Sequence, residues 1–361
     1  MFKRILIIGL LAFAMSQSQA IELPVDYLEE TSASEGYLNV YWNQVTGRAS
    51  LGIPKKLGEI LFVTSLPSGV GSNDLGLDRG QLGQTRIISF QRSGPRILMV
   101  ESNLDYRAES DNLDEKQSVK DAFASSVLAA FEIQAENDEL LIIDYTDYLL
   151  TDVHGVATRL SAAEQGNYRI DVKRSAPLPK QLKSFPDNSV LEAWVTFSGD
   201  KPGEQISSVT PTPTALTVRM RHEFVRLPDN DYRPRAYHPR SGYFPFGFKD
   251  YAASLGESID RRYIVRHRLS RNSQGQVKPL VYYVDRGAPE PVRSALIEGA
   301  SWWAQAFEAA GFPGVFQVKL LPDGVDPMDI RYNVIQWVHR STRGWSYGAS
   351  VVDPRTGEIL K

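Results

Sequence analysis

The side chains able to hold a metal ion or take up a proton are few in this chain and widely spaced. Five histidines occur, His154, His222, His238, His267 and His339, and no two of them stand four residues apart. No helix can therefore present a histidine pair on one face, and a catalytic zinc needs three protein ligands in fixed geometry. His222 falls on the apolar side of an alternating segment, with Leu216, Val218, Met220 and Phe224, which predicts a hydrogen-bonded core histidine. Cysteine is absent, so disulfides, thiolate nucleophiles and cysteine-based zinc sites are excluded. Asp323, Asp326 and Asp329 lack the alternating spacing of a calcium loop and read as solvated turn acids. No catalytic residue and no metal ligand is assigned within the chain.

Two glycine patterns point to chemistry that their surroundings do not support. Gly344-Trp345-Ser346-Tyr347-Gly348 matches the G-x-S-x-G elbow of serine hydrolases. That mechanism needs a strand before the serine, a helix after it, and an acid and then a histidine later. Here a strand and a turn are expected to follow, and no histidine lies beyond His339. Trp345 and Tyr347 are expected to pack on a sheet. Gly69-Val70-Gly71 resembles the start of a phosphate loop, but Asp74 stands where the third glycine belongs.

The elements that must position these residues fall into two parts. Residues 36–225 alternate apolar and polar side chains in short runs, with expected strands near residues 38–42, 49–53, 59–66, 86–90, 96–100, 127–133, 140–144, 190–197 and 215–225. Arg92-Ser93-Gly94-Pro95 reads as a hairpin turn, residues 67–84 and 202–213 as loops, and residues 112–124 and 144–160 as helices. This is an antiparallel β-rich domain. Residues 226–270 form an irregular crossover. The twelve lysines and arginines from Arg219 to Arg271 are read as a solvated face, and secondarily as a patch contacting the other domain.

From residue 271 the pattern changes. A strand at residues 277–284 is followed by Ala288-Pro289-Glu290-Pro291, with prolines suited to a first helical turn. Val292, Ala295, Leu296, Gly299, Trp303, Ala306, Phe307 and Ala310 then repeat at helical spacing, which predicts one helix buried along one side and closed by Gly311. Strands are expected at residues 316–320 and 330–338. The fold class is α+β, with the β-rich part followed by an α/β layer.

Residues 1–20 read as a secretory signal peptide: Lys3 and Arg4, an eleven-residue apolar run, and Ser18-Gln19-Ala20 as the cleavage site. The run is shorter than the roughly 20 residues of a spanning helix. Cleavage after Ala20 leaves residues 21–35 as a short N-terminal segment, predicts a periplasmic or secreted protein with no membrane span, and moves the formal charge from −3 to −5 by removing two cations and no acid. That acidic balance offers no reason to expect nucleic acid.

The order of the second part resembles the start of a metzincin-type zinc peptidase domain. There a first strand leads to a long helix backing the active site, a strand with an Asp-Ile start follows, and a substrate-pairing edge strand precedes the zinc helix. The similar parts here are residues 280–284, residues 292–310, Asp329-Ile330-Arg331-Tyr332 and residues 348–352. More closely, residues 77–108, 237–248 and 337–361 resemble a family of bacterial exported zinc-dependent metalloproteases with an uncharacterised N-terminal domain. The likeness covers roughly residues 36–361, and makes residues 271–361 an incomplete metzincin-like peptidase domain.

That resemblance implies zinc in the full-length relative and a peptide or protein substrate. Relatives carry H-E-x-x-H and a third histidine further along, two histidines holding zinc and the glutamate taking a proton from its water. This sequence contains no such motif, so zinc is not expected to bind it and it is expected to be inactive alone. Gly348, Ala349, Ser350, Val351 and Val352 are the substrate-binding candidates: as an edge strand they would accept substrate as an added antiparallel strand. An ordinary internal strand is the other reading. The hairpin expected around Asp353-Pro354-Arg355-Thr356-Gly357 has a short second arm, read as a longer protein interrupted. The competing expectation is a complete, non-enzymatic periplasmic β-rich binding or structural protein.

Overall fold

Alternating side chains run through residues 31–225, and in the computed structural model, which describes residues 30–341 and 344–361, they build one large antiparallel sheet. The expected signal peptide lies outside the described residues. In chain order the strands of this half are β1 (Thr31–Ser34), β2 (Asn39–Asn43), β3 (Arg48–Pro54), β4 (Ile60–Ser68), β5 (Gln81–Ser93), β6 (Arg96–Glu101) and β7 (Tyr106–Arg107). They continue with β8 (Ser126–Glu136), β9 (Leu140–Asp144), β10 (Asn167–Ile170), β11 (Ala176–Pro177), β12 (Lys183–Ser184), β13 (Asn188–Asp200) and β14 (Ala215–Val225). The sheet runs β1-β2-β3-β9-β8-β6-β5-β4-β14-β13-β10, with β11 and β12 also on β13. Its two ends approach each other. The Tyr37 N–H donates to the Phe185 carbonyl at 2.8 Å, and the Leu38 N–H to Ser189 Oγ at 2.8 Å, so the sheet nearly closes on itself and needs no second layer to bury its inner face.

The inner face carries Leu51, Ile60, Phe62, Met99, Leu191, Val195, Val218 and Phe224, all buried; burial of each such large side chain stabilises by about 1.5–3 kcal/mol. The expected helix at residues 144–160 is two short helices, Thr146–Leu149 and Val156–Ala162. Asp152 separates them: its carboxylate accepts from the Val156 and Ala157 N–H groups at 2.8 and 2.9 Å, and Gly155 holds a φ of 70°. Leu149, Val156 and Leu160 insert into the core. The stretch expected as a loop at residues 202–213 contains a helix, Glu204–Val209, because Ile206 is buried there as an anchor.

β4 is buried on both faces, as its unbroken apolar run requires. Ile60 and Phe62 face the interior, while Leu61 and Val63 lie outside beneath Ile330 and Val351. The later part of the chain is thus packed onto the outer wall of the sheet. It contains β15 (Pro245–Asp250) and β16 (Asp260–Ile264), which form a hairpin extended by β7 in parallel. It also contains β17 (Leu280–Val284), β18 (Phe316–Leu320) and β19 (Asn333–Ile335), a parallel sheet in the order β18-β17-β19. No helix among the described residues is long and apolar enough to cross a membrane.

Candidate functional site

The site begins with the connection from β17 to β18. The single buried helix expected there is two helices, Val292–Ser301 and Ala304–Ala309, and none of their residues is buried. Phe307 stacks on Phe316 of β18 at 4.9 Å, which pins the second helix to the sheet. From the same stripe Trp303, Ala306 and Ala310 line an open groove. Trp303, expected on the buried stripe, is 65% exposed, and its neighbour Trp302 is 66% exposed, because no other element among the described residues covers that side of the helices.

The groove has a volume of about 920 Å³, and its walls include Trp303 and Phe307 from the helices, Tyr282 and Phe316 from the sheet, and His267 and Ile359 opposite. His267 Nε2 lies 2.9 Å from the Tyr282 hydroxyl. Burial lowers its pKa to about 4, so the ring is neutral at physiological pH. Among the described residues on the walls, the charged ones are Arg235 and Arg266. The groove is walled mostly by apolar and aromatic side chains, with two arginines among them.

Beside it runs the segment predicted to meet substrate. Gly348, Ala349 and Ser350 are exposed and belong to no strand, Val351 is buried against β4, and Val352 forms a single bridge to Ile359. The turn at residues 353–357 has the expected chemistry. Asp353, fully buried, accepts from the Arg355 N–H and guanidinium, and Gly357 takes a φ of 82°. The Val351 N–H donates to the Lys361 carbonyl at 2.9 Å, and its carbonyl accepts from the Leu360 N–H at 2.8 Å. Successive backbone groups alternate in direction. Val352, bridged to Ile359 between these bonds and the Asp353 N–H to Glu358 carbonyl bond at 2.9 Å, therefore turns its own away from the hairpin's second arm. Of the serine-elbow pattern, Trp345 is exposed and the Tyr347 hydroxyl reaches the Arg79 carbonyl at 3.4 Å.

The histidines are not brought together. His222 is a core residue, its Nδ1 2.9 Å from the Tyr145 hydroxyl and its ring edge-on to Phe62; burial pushes its pKa down to about 3. Among the described residues no group of three or more histidines and acids could hold a metal ion. The described residues do not fit a zinc site.

Sequence reading missed the polar contacts that join the two parts. Asn188 donates to the Met328 carbonyl at 2.9 Å and accepts from the Ile330 N–H at 3.1 Å. It also missed an ion cluster within the large sheet, where Glu192, fully buried on β13, lies 2.7 Å from Arg221 and 2.9 Å from Arg219 on β14. The arginine run, read as a solvated face and secondarily as a patch contacting the other domain, in part lines the seam between the two parts: Arg219 and Arg221 share a cavity wall with Asp326 and Met328. Acids and bases at alternate positions on neighbouring strands were the available signal.

Residues 80–272 match a family described as a domain of unknown function (DUF5117), a span that opens beside β5 and ends before β17. No curated protein and no solved structure matches the chain.

Proposed function

Because the chain belongs to the DUF5117 family, with the family span ending before the α/β layer begins, we propose that this span is the accessory domain of an exported zinc-dependent metallopeptidase. Residues 271–361 are the first part of its metzincin-like catalytic layer, and the zinc ligands and general base come from outside these 361 residues. The observation that supports this reading most is the open groove beside the two helices. A parallel sheet buries both faces in ordinary α/β layers, and this groove has the apolar walls to receive one further helix, the place a zinc helix would take. Val352 presents outward backbone groups at the end of the segment 348–352, to which an extended peptide substrate would pair. The protein acts in the periplasm or outside the cell.

In-frame translation of the genomic sequence beyond the codon for Lys361 tests the reading. An H-E-x-x-H motif is expected there, and the 361-residue protein should contain no stoichiometric zinc and show no chelator-sensitive proteolysis. A stop codon directly after Lys361 sinks the proposal and leaves a non-enzymatic β-rich binding or structural protein.

A further inference from the structure

A second cavity lies on the outer wall of the large sheet, where the α/β layer meets it. It has a volume of about 150 Å³ and draws its polar walls from Arg79, Arg219, Arg221, Gln181, Gln336 and Asp326. Pockets for drug-sized ligands run to roughly 300–1,000 Å³, so this one suits a single small group. Its charge is arranged. Arg219 and Arg221 stand two apart on β14 and so point the same way. The buried Glu192 holds both guanidiniums from behind, and Arg221 Nε donates to it at 2.7 Å. One carboxylate thus serves two arginines, and a guanidinium carries five N–H donors. The carboxylate on the cavity wall, Asp326, is occupied by Lys183 at 2.6 Å, and Arg79 is paired with Asp285 at 3.4 Å. On the cavity wall itself Arg219 and Arg221 share the single carboxylate of Glu192, two positive charges to one negative.

We infer that this cavity binds one small oxyanion, a phosphate or carboxylate group, held between β14 and the stretch from Asp326 to Gln336. Guanidinium forks match such groups in shape as well as in charge, and Gln181 and Gln336 add neutral amide donors. The occupant bridges residues of the large sheet and residues of the α/β layer, so its binding stabilises their contact.

Calorimetric titration of the full chain with inorganic phosphate, and separately with acetate, tests the assignment in a buffer free of other oxyanions. One anion per chain is expected, with affinity weakened on the order of tenfold in Arg219→Gln, the loss of one charge-assisted contact. Saturable binding of either anion that this variant weakens upholds the site, and the tighter anion names the group it takes. Absence of saturable binding, or binding that Arg219→Gln leaves unchanged, overturns it. If circular dichroism shows that Arg219→Gln does not fold, the same criterion applies to Arg79→Gln, whose half-exposed side chain pairs with Asp285 and not with Glu192.

Discussion

Arg268 and Glu358, ninety residues apart, form a two-point ion pair: Nε to Oε1 at 2.8 Å and Nη2 to Oε2 at 2.7 Å. Glu358 is buried in the last hairpin, and Arg268 precedes β17, so the pair fastens the hairpin to the start of the α/β layer. Removing one member of a buried pair strands the other charge, at a cost of about 3–5 kcal/mol when burial is complete. Arg268 is partly exposed and also contacts Asp229, so Arg268→Ala should cost less, about 2–3 kcal/mol. Urea unfolding of Arg268→Ala, Glu358→Leu and the double variant checks this. The double variant should be less destabilised than the sum of the single ones, and strict additivity would refute the coupling.

The turn that carries Glu358 depends on Gly357. Its φ of 82° is left-handed, and an added Cβ would sit 2.4 Å from the Phe246 ring. Gly357→Ala should therefore destabilise by about 2–4 kcal/mol, strain and collision together. Gly71 has a similar φ of 72° and nothing near its Cβ position, so Gly71→Ala should cost only about 1–2 kcal/mol. Equal losses from the two variants, measured by thermal unfolding, would show that the Phe246 contact has no weight.

Asn188 grips Met328 and Ile330 through both ends of its amide and also donates to Glu223 at 2.7 Å. Asn188→Ala leaves buried donors and acceptors unpaired, a loss of about 1–3 kcal/mol. Amide hydrogen exchange at Ile330 should accelerate more than exchange in β2. Uniform acceleration across the chain would mean that the contact is not a local clamp.

Acid should weaken the fold through its buried histidines. The pKa values of His222, His154 and His267 fall from 6.5 to about 3, 4 and 4, in each case chiefly through burial. Unfolding lets each ring bind a proton that the folded state refuses. The stabilisation is present above pH 6.5 and is lost as pH falls towards 4, at up to about 1.4 kcal/mol per pH unit for each ring. His222→Phe keeps an aromatic ring beside Phe62 while removing one titrating site. Its stability measured against pH should fall less steeply between pH 6.5 and 4 than that of the unaltered chain, whatever its absolute value. An unchanged slope would contradict the buried neutral state.

Most strands of the large sheet were legible from alternation alone. So were the hairpin at Gly94, the helix Leu113–Ala122, whose first N–H groups donate to the Asn112 side chain, and the core position of His222, since each depends on neighbours within a few residues. The break in the helix after Asp144 was missed because a carboxylate competing for backbone N–H groups does not disturb periodicity. The apolar stripe at residues 292–310 was legible as a stripe, but its exposure was not. A stripe states what a helix can bury against, and only the surrounding chain decides whether anything is there.

The sequence by itself determined which segments extend, where they turn, and that no histidine pair lies on one helix. Those properties follow from local dihedral preferences and from side-chain spacing. Only the tertiary structure decided that the sheet nearly closes, that β4 is covered on both sides, and that Glu192 holds Arg219 and Arg221 beside a small cavity. Strand order and ion pairing are chosen by contacts between residues distant in sequence, where many pairings share the same local pattern and burial selects among them.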